Sequence, residues 1–342
     1  MGIILNNKGK MKKKAILFSL ISVLMSILFI TLFSQTFSTV LEDRIPGSNI
    51  RIKVIDVYTR NFENYASESI KISTYRVLES LTSRGSSQGF YTDQNDFNRK
   101  FYNCMTCGTF DCSGSVLQQC PMGTSGYDLN SRMKNISDLS LAQLNIKTEY
   151  KIHNVTIRQD YPFEVEVTIN ISYNITDNSG SGYYAKWIKN KVITQSVSII
   201  ELTDPLANIS SYGNVSRKIT KYNGVCVFNE TCWNLANTIT FYNSNDYRYY
   251  VGGVGFLQRY WNDLTPSSCC GLERIMHPTE FKTAFPVYRN NSYIDHYYWN
   301  GTNNCSFGKI LNYTFNGDSV SLDEETAARY KISSYGTELC KP

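Results

Sequence analysis

The sequence predicts an α+β protein. An N-terminal transmembrane helix continues into an amphipathic helix packed on an antiparallel β-sheet, and a disulfide-rich, β-rich C-terminal region follows. Three observations support this prediction. An uncharged run spans residues 15–33, apolar residues recur at helical spacing over 48–82, and apolar and polar residues alternate over 163–176. A period of three to four residues indicates a helix, whereas strict alternation indicates a half-buried strand.

The first element is the apolar run from Ala15 to Phe33, which contains no charged residue, Gly or Pro. At about 1.5 Å per residue, it just spans a hydrocarbon core of about 30 Å. We therefore predict a basic cytoplasmic leader at 1–14, a single-pass transmembrane helix in membrane lipid at 15–34, and an extracellular bulk. The alternative is a cleaved signal peptide, whose apolar region is shorter, at about 7–15 residues. Under either interpretation, the rest of the chain is exported.

The charge distribution agrees with this topology. The chain has 34 basic and 29 acidic residues, a net charge of +5. The leader holds five lysines and no acidic residue, so the remainder carries 34 − 5 = 29 basic residues against 29 acidic ones. The lysines are Lys8, Lys10, Lys12, Lys13 and Lys14. The excess charge is thus a membrane-orientation signal, and no nucleic-acid partner is expected.

Ten cysteines, all after the apolar run, predict disulfides formed in an oxidising compartment. They are Cys104, Cys107, Cys112, Cys120, Cys226, Cys232, Cys269, Cys270, Cys305 and Cys340. The first pair has the CxxC spacing of zinc or redox sites, but no second CxxC or nearby His follows, which favours two local disulfides among the first four. Cys226 and Cys232 would close a small loop. We expect the adjacent Cys269 and Cys270 each to pair elsewhere, with Cys305 and Cys340 as partners by exclusion.

Eleven Asn-x-Ser/Thr sequons also follow the apolar run and are candidate glycosylation sites in an exported protein. They begin at Asn135, Asn154, Asn170, Asn174, Asn208, Asn214, Asn229, Asn290, Asn300, Asn304 and Asn312. Asn170 and Asn174 fall on the polar side of the alternating strand, where a glycan has room.

Residues 35–84 are predicted to form an amphipathic stalk helix, broken near Pro46-Gly47 and restarting at Ser48 as N-cap. Its apolar face comprises Ile55, Tyr58, Phe62, Ala66, Ile70, Val77 and Leu81, and Ser83-Arg84-Gly85 is the expected stop. Residues 85–146 lack periodicity and are interpreted as a cysteine-rich loop region. A membrane helix that leads into an amphipathic helix is the arrangement of type IV pilins, whereas a plain stalk helix is the alternative.

Residues 147–206 are predicted to form an antiparallel sheet. Strands are expected at 150–158, 163–176 and 187–202, with turns near 159–162 and 178–182. Residues 207–342 are expected to be an aromatic-rich region of short strands and turns tied by disulfides, with a short helix over 324–330.

No catalytic motif is present: the sequence has no HExxH, no Gly-x-Ser-x-Gly and no P-loop. We therefore expect no enzyme activity, no cofactor and no metal site. A cluster of Asp295, His296 and a further carboxylate would instead indicate a hydrolase. The aromatic clusters around Tyr183, Tyr247, Tyr260 and Tyr297 allow two interpretations, an internal core or a sugar-binding surface.

Three short patches of the sequence resemble those of a known group of proteins. They are Val197-Ser-Ile-Ile-Glu-Leu-Thr-Asp-Pro-Leu206, then Gly253-Val-Gly-Phe-Leu-Gln-Arg-Tyr260 with Gly271-Leu-Glu-Arg-Ile275, and Tyr293-Ile-Asp-His-Tyr-Tyr298. They resemble uncharacterised archaeal surface proteins with a pilin-like N-terminal membrane helix. In that pattern Gly255 replaces a usual Ser and Tyr260 a usual Leu. No established activity carries over from these proteins. From the apolar helix and the exported β domain we expect a structural or assembly role at the cell membrane, with pilin-like homo- or hetero-oligomeric subunits as partners. The alternative function is a cell-surface adhesin or carbohydrate-binding module.

Overall fold

The computed structural model describes residues 47–110, 120, 128–179, 185–224, 226, 230–276, 293–295, 310–315, 318–332 and 337–340. The chain divides into two compact units, residues 1–56 and 57–342. The predicted leader at 1–14 and transmembrane helix at 15–34 lie outside the described residues. Among the helices that are described, none combines the length and the apolar character needed to cross a membrane.

The described helices alternate with antiparallel strands in an α+β order. The helices are α1 (Gly47–Gln88), α2 (Gln94–Cys107), α3 (Leu129–Leu144), α4 (Pro205–Ser210), α5 (Leu235–Ser244) and α6 (Glu324–Arg329). The strands are β1 (Ile146–Tyr161), β2 (Glu164–Asp177), β3 (Lys186–Ser198), β4 (Arg248–Gly255), β5 (Gly271–Glu273), β6 (Ile275–Met276), β7 (Tyr293–Ile294), β8 (Ile310–Phe315), β9 (Asp318–Asp323) and β10 (Thr337–Cys340). This confirms an α+β protein with an antiparallel sheet.

The long helix continues past the predicted stop. α1 reaches Gln88 and ends where Gly89 adopts a positive φ of 88°. Gly85 is therefore not a terminator. A Cβ on Gly85 would lie 2.4 Å from Cδ1 of Ile209, so this glycine allows close packing of α1 against α4. Glycine is the residue that permits such an approach.

The central sheet has the strand order β1-β2-β3, and both pairings are antiparallel, as predicted. The alternating residues of β2 from Val165 to Ile175 point inward and are buried. Helix α1 covers this face. The ring of Phe62 lies 6.5 Å from that of Tyr150 and 5.2 Å from that of Tyr173, and the Tyr58 hydroxyl is 2.8 Å from Thr148 Oγ1. The apolar faces of helix and sheet thus exclude water together.

Polar contacts at the border fix the position of α1. Glu63 accepts hydrogen bonds from the Tyr173 hydroxyl and from Lys191 Nζ on β3. Nearer the end of α1, the Glu79 carboxylate accepts the backbone N–H of Thr203 at 2.9 Å and pairs with Lys218 Nζ at 2.8 Å. One helix therefore contacts both the sheet and the segment that follows it.

The interpretation of 85–146 as a loop region is wrong in part, because it contains two capped helices. Asp93 and Asp128 accept the backbone N–H groups of Asp96 and Ser131 at the starts of α2 and α3. Side-chain caps of this kind satisfy the free N–H groups of a helix start. The apolar face of α2 consists of Phe97, Phe101 and Met105, all fully buried.

The C-terminal region is built from short pieces around a core of its own. β8 pairs with β9 and β10, β4 with β5, and β6 with β7. The predicted helix over 324–330 is confirmed as α6, whereas α5 was not predicted. A buried cluster joins α5, α6 and the β6–β7 pair; it consists of Tyr222, Cys226, Trp233, Phe241, Tyr242, Ile275, Ile294, Ala327, Tyr330 and Ile332.

Candidate functional site

Three disulfides have both cysteines in the described part of the chain. They join Cys104 to Cys120, Cys226 to Cys232, and Cys269 to Cys270. Cys107 is also disulfide-bonded. The first two bridges agree with the predicted local pairing. The expectation that Cys269 and Cys270 pair elsewhere is wrong, because the two neighbours bond to each other across a Cα separation of 3.7 Å.

The structure describes the remaining predicted cysteines only in part. Cys112 and Cys305 lie outside the described residues, and only the backbone of Cys340, in β10, is described. Cys269 is exposed, whereas Cys270 is buried beside the carbonyl oxygen of Gln159, which lies 3.1 Å from its Sγ. The bridge thus lies beside the β1–β2 turn.

The candidate glycosylation sites differ sharply in accessibility. Asn135, Asn154, Asn170 and Asn214 are exposed, and Asn174 is half-buried. Asn208 is only 8 % exposed, and its amide donates to the carbonyl of Val215 at 3.3 Å. Because the Asn208 amide is hydrogen-bonded and enclosed, it has no room for a sugar. Asn229, Asn290, Asn300 and Asn304 lie outside the described residues, and of Asn312 only the backbone in β8 is described.

Residues from the three sequence patches converge on one buried ionic network. At its centre is Arg259, whose Nη1 donates to Asp204 Oδ2 at 3.0 Å and to Asp295 Oδ2 at 2.6 Å. Nη2 of Arg259 donates to the carbonyl of Leu272 at 2.8 Å. The Tyr247 hydroxyl donates to Asp204 Oδ2 at 2.6 Å and accepts from Arg274 Nε at 3.0 Å. The side chains of the Arg259, Asp204 and Asp295 ion pairs have no solvent exposure.

A second group adjoins the first, because Arg248 follows Tyr247 and Glu273 precedes Arg274 in the chain. Arg248 faces Glu273 across the two strands, and its Nη2 lies 3.1 Å from Glu273 Oε1. The Tyr330 hydroxyl donates to the same oxygen at 2.6 Å, and Arg329 Nη2 lies 2.9 Å from Glu273 Oε2. The Arg248 guanidinium is also 4.9 Å from the ring centre of Trp233, a cation–π distance. These contacts tie α6 to the β4–β5 pair.

Burial sets the protonation states of this network. It raises the pKa of the Tyr247 and Tyr330 hydroxyls well above their usual value. Burial alone would lower the pKa of Arg259, but the carboxylates of Asp204 and Asp295 raise it above the usual value. The two tyrosines therefore stay neutral hydrogen-bond donors, and Arg259 stays charged.

This arrangement can hold the fold but offers no surface for chemistry. A catalytic carboxylate must contact a substrate, and both carboxylates bound to Arg259 are sealed from solvent. His296, the partner that a hydrolase interpretation requires, lies outside the described residues, as does His277. His153 lies in β1, and its Nε2 is 2.7 Å from Ser172 Oγ. The described geometry therefore lacks an acid–base site at these residues.

The aromatic residues that the structure describes are mostly internal. Tyr247 and Tyr260 are fully buried, and the Tyr260 hydroxyl donates to the carbonyl of Leu78 on α1 at 3.0 Å. Tyr249, Tyr250 and Trp261 are half-buried. The clusters around Tyr183 and Tyr297 lie outside the described residues. For the described clusters, the core interpretation fits better than a sugar-stacking surface.

A shallow groove of about 240 Å³ lies between α2 and β1. Its lining is Asn98, Arg99, Phe101, Tyr102 and residues 154–157. It contains no carboxylate and no histidine, so general acid–base chemistry has no group there. In the described ranges, His, Cys, Asp and Glu side chains also form no group of three that could hold a metal ion.

Periodicity alone did not single out the buried arginines. Arg248 begins the short strand β4, and Arg259 and Arg274 lie between short elements, where a charged residue ordinarily indicates a surface. For Arg259 and Arg274 the available signal was their position within the second patch, whereas Arg248 lies outside all three patches. Comparison of the chain with family models, curated proteins and solved structures finds no match.

Proposed function

We propose that this chain is an exported protein, held in the cell membrane by residues 15–34 and glycosylated outside, with a structural or assembly role. The observation that carries the proposal is α1 lying along the three-stranded antiparallel sheet, with Phe62 between Tyr150 and Tyr173. A long N-terminal helix on an antiparallel sheet is what the resemblance to pilin-like surface proteins implies.

The cysteine chemistry supports export. Three bridges and a bonded Cys107 are typical of an oxidising compartment, because thiols in most cytosols are kept reduced. The sealed network around Arg259 supports a structural role over an enzymatic one. The burial of Tyr247 and Tyr260 favours the same role over an adhesin.

Membrane partitioning tests the proposal. The full-length chain should remain in the membrane pellet of its native host after an alkaline carbonate wash, because an apolar helix resists a wash that removes charged contacts. A variant that lacks residues 15–33 should leave the pellet. Release of the full-length chain by carbonate would contradict the anchor.

The N-terminus of the mature protein separates the two roles. A start near Ile16 would indicate a processed pilin-like subunit that can assemble. An intact N-terminus would indicate a static anchor. Sequencing the protein extracted from native membranes gives this result directly.

A further inference from the structure

The outer face of the central sheet, turned away from α1, carries two matched pairs of residues. The register places Asn170 of β2 opposite Val192 of β3, and Asn174 of β2 opposite Ile188 of β3. Ile188 is 69 % exposed and Val192 63 % exposed. Both are large apolar side chains on a face made mostly of polar residues, and each lies beside the asparagine of a sequon.

We propose that Asn170 and Asn174 each carry an N-linked glycan, and that these glycans cover Val192 and Ile188. This inference rests on the proposed export and deepens it by naming the modified sites. Cβ atoms directly opposite each other in antiparallel strands are about 5 Å apart, so the first sugar is within reach of the apolar neighbour. The two asparagines are separated by four strand residues, about 14 Å, which leaves room for both glycans.

The surroundings of both asparagines accept the modification. Ser172 and Thr176 complete the sequons on the same face. Asn170 is exposed. Asn174 is half-buried with its Oδ1 shielded from solvent, but its Nδ2 donates to Glu149 Oε2 at 3.4 Å, a long contact on the surface that costs little to give up. Asn154 lies directly opposite Asn170 on the other side, so glycans on both would crowd each other.

The reaction transfers an oligosaccharide from a lipid-phosphate-linked donor. Nδ2 of the asparagine loses one proton to a base of the transferase and bonds to the anomeric carbon of the sugar. The bond between that carbon and the phosphate oxygen breaks, and the lipid phosphate leaves with the electron pair. No oxidant or reductant takes part.

Mass spectrometry of the protein from its native host tests the assignment. The tryptic peptide 159–186 contains both asparagines, whereas 152–158 contains Asn154 and 192–217 contains Asn208 and Asn214. We expect peptide 159–186 to carry two glycan masses, and fragmentation to leave Asn208 unmodified. A peptide 159–186 found mainly without glycan would overturn the inference.

The thiol state of the same sample separates this inference from the proposed function. Disulfide-bonded, surface-exposed protein with a bare peptide 159–186 would refute the glycan assignment while leaving export intact. Protein with reduced thiols inside the cell would refute both.

Paired variants test whether the glycans cover the apolar residues. Asn170→Gln with Asn174→Gln should increase the aggregated fraction in size-exclusion chromatography at least threefold, and adding Ile188→Thr with Val192→Thr should restore the native profile. Ser172→Ala with Thr176→Ala removes the same sequons without changing either asparagine and should behave alike. Asn135→Gln, at an exposed sequon on α3, is the matched control. Unchanged aggregation in both sequon variants would contradict the covering role.

Discussion

The central sheet and the C-terminal region are held together by opposite means. In the sheet, residues such as Val167, Ile169 and Ile171 bury an apolar face under α1, and the charges remain at the border. In the C-terminal region, Arg259 and Glu273 lie at the centre. Both are fully buried, and each is paired with a different residue of opposite charge. The central sheet therefore tolerates gradual change in packing, whereas the C-terminal region requires every charge to keep its partner.

The largest expected effect follows from removing the central cation. Arg259→Met leaves Asp204 and Asp295 buried without it, which should cost about 3–5 kcal/mol of unfolding free energy. Urea denaturation measures this loss. Arg99→Met is the matched control. Because Arg99 pairs with Asp96 at the surface, this substitution should lower the unfolding free energy by less than about 1 kcal/mol.

A combined variant tests whether the buried residues act as one network. Adding Asp204→Asn and Asp295→Asn to Arg259→Met removes the two negative charges that have lost Arg259 and should recover part of the stability. If the triple variant were less stable than the unchanged protein by the sum of the three single effects, the residues would not act as one network.

The contact between α1 and α4 should give the next largest effect. Gly85→Ala places a methyl group 2.4 Å from Ile209 Cδ1, and overpacking should outweigh the gain in helix propensity, for a net loss of about 1–2 kcal/mol. In the Ile209→Ala background the same substitution should be neutral or stabilising. Thermal unfolding of the four proteins forms the cycle, with Ser83→Ala as an exposed helix control. Equal effects in both backgrounds would contradict the contact.

A smaller effect is expected inside the sheet. Ile171→Val removes one buried methyl group and should cost about 1 kcal/mol. Ile188→Val makes the same chemical change on the exposed side of β3 and should cost almost nothing. Chemical denaturation of the two variants compares the faces directly, and an equal loss would contradict the assignment of the inner face.

The smallest effect concerns pH. Burial raises the pKa of Glu63, but hydrogen bonds from Lys191 and Tyr173 outweigh it, so the pKa is lowered below its usual 4.5. The stabilisation is therefore complete above pH 4.5 and is lost as pH falls through the lowered value. Glu63→Gln should lower stability by less than about 1 kcal/mol at neutral pH, and the difference from the unchanged protein should vanish in acid.

Stability measured from pH 7 down to pH 2 checks this dependence. Glu68→Gln is the control, since Glu68 is exposed and pairs only with Lys71. A Glu63→Gln deficit that persisted in acid would mean that shape, rather than charge, is responsible.

The same contrast explains how far the sequence predicts the structure. Strict alternation located β2, and helical spacing located α1, because each element buries one continuous face. The end of α1 was misplaced because Gly85 serves packing with Ile209, a distant residue. α2 was missed although Asp93 and the spacing of Phe97, Phe101 and Met105 indicate a capped amphipathic helix. The ionic network depends on partners far apart in sequence, so local periodicity carries no trace of it.

Protease treatment of intact cells, combined with thiol alkylation before lysis, tests the central claim most directly. The account predicts that the protease removes the bulk beyond residue 35 and that alkylation without reduction labels no cysteine in the described bridges. A bulk that stays protected until lysis, with Cys104 and Cys226 alkylated, would contradict it.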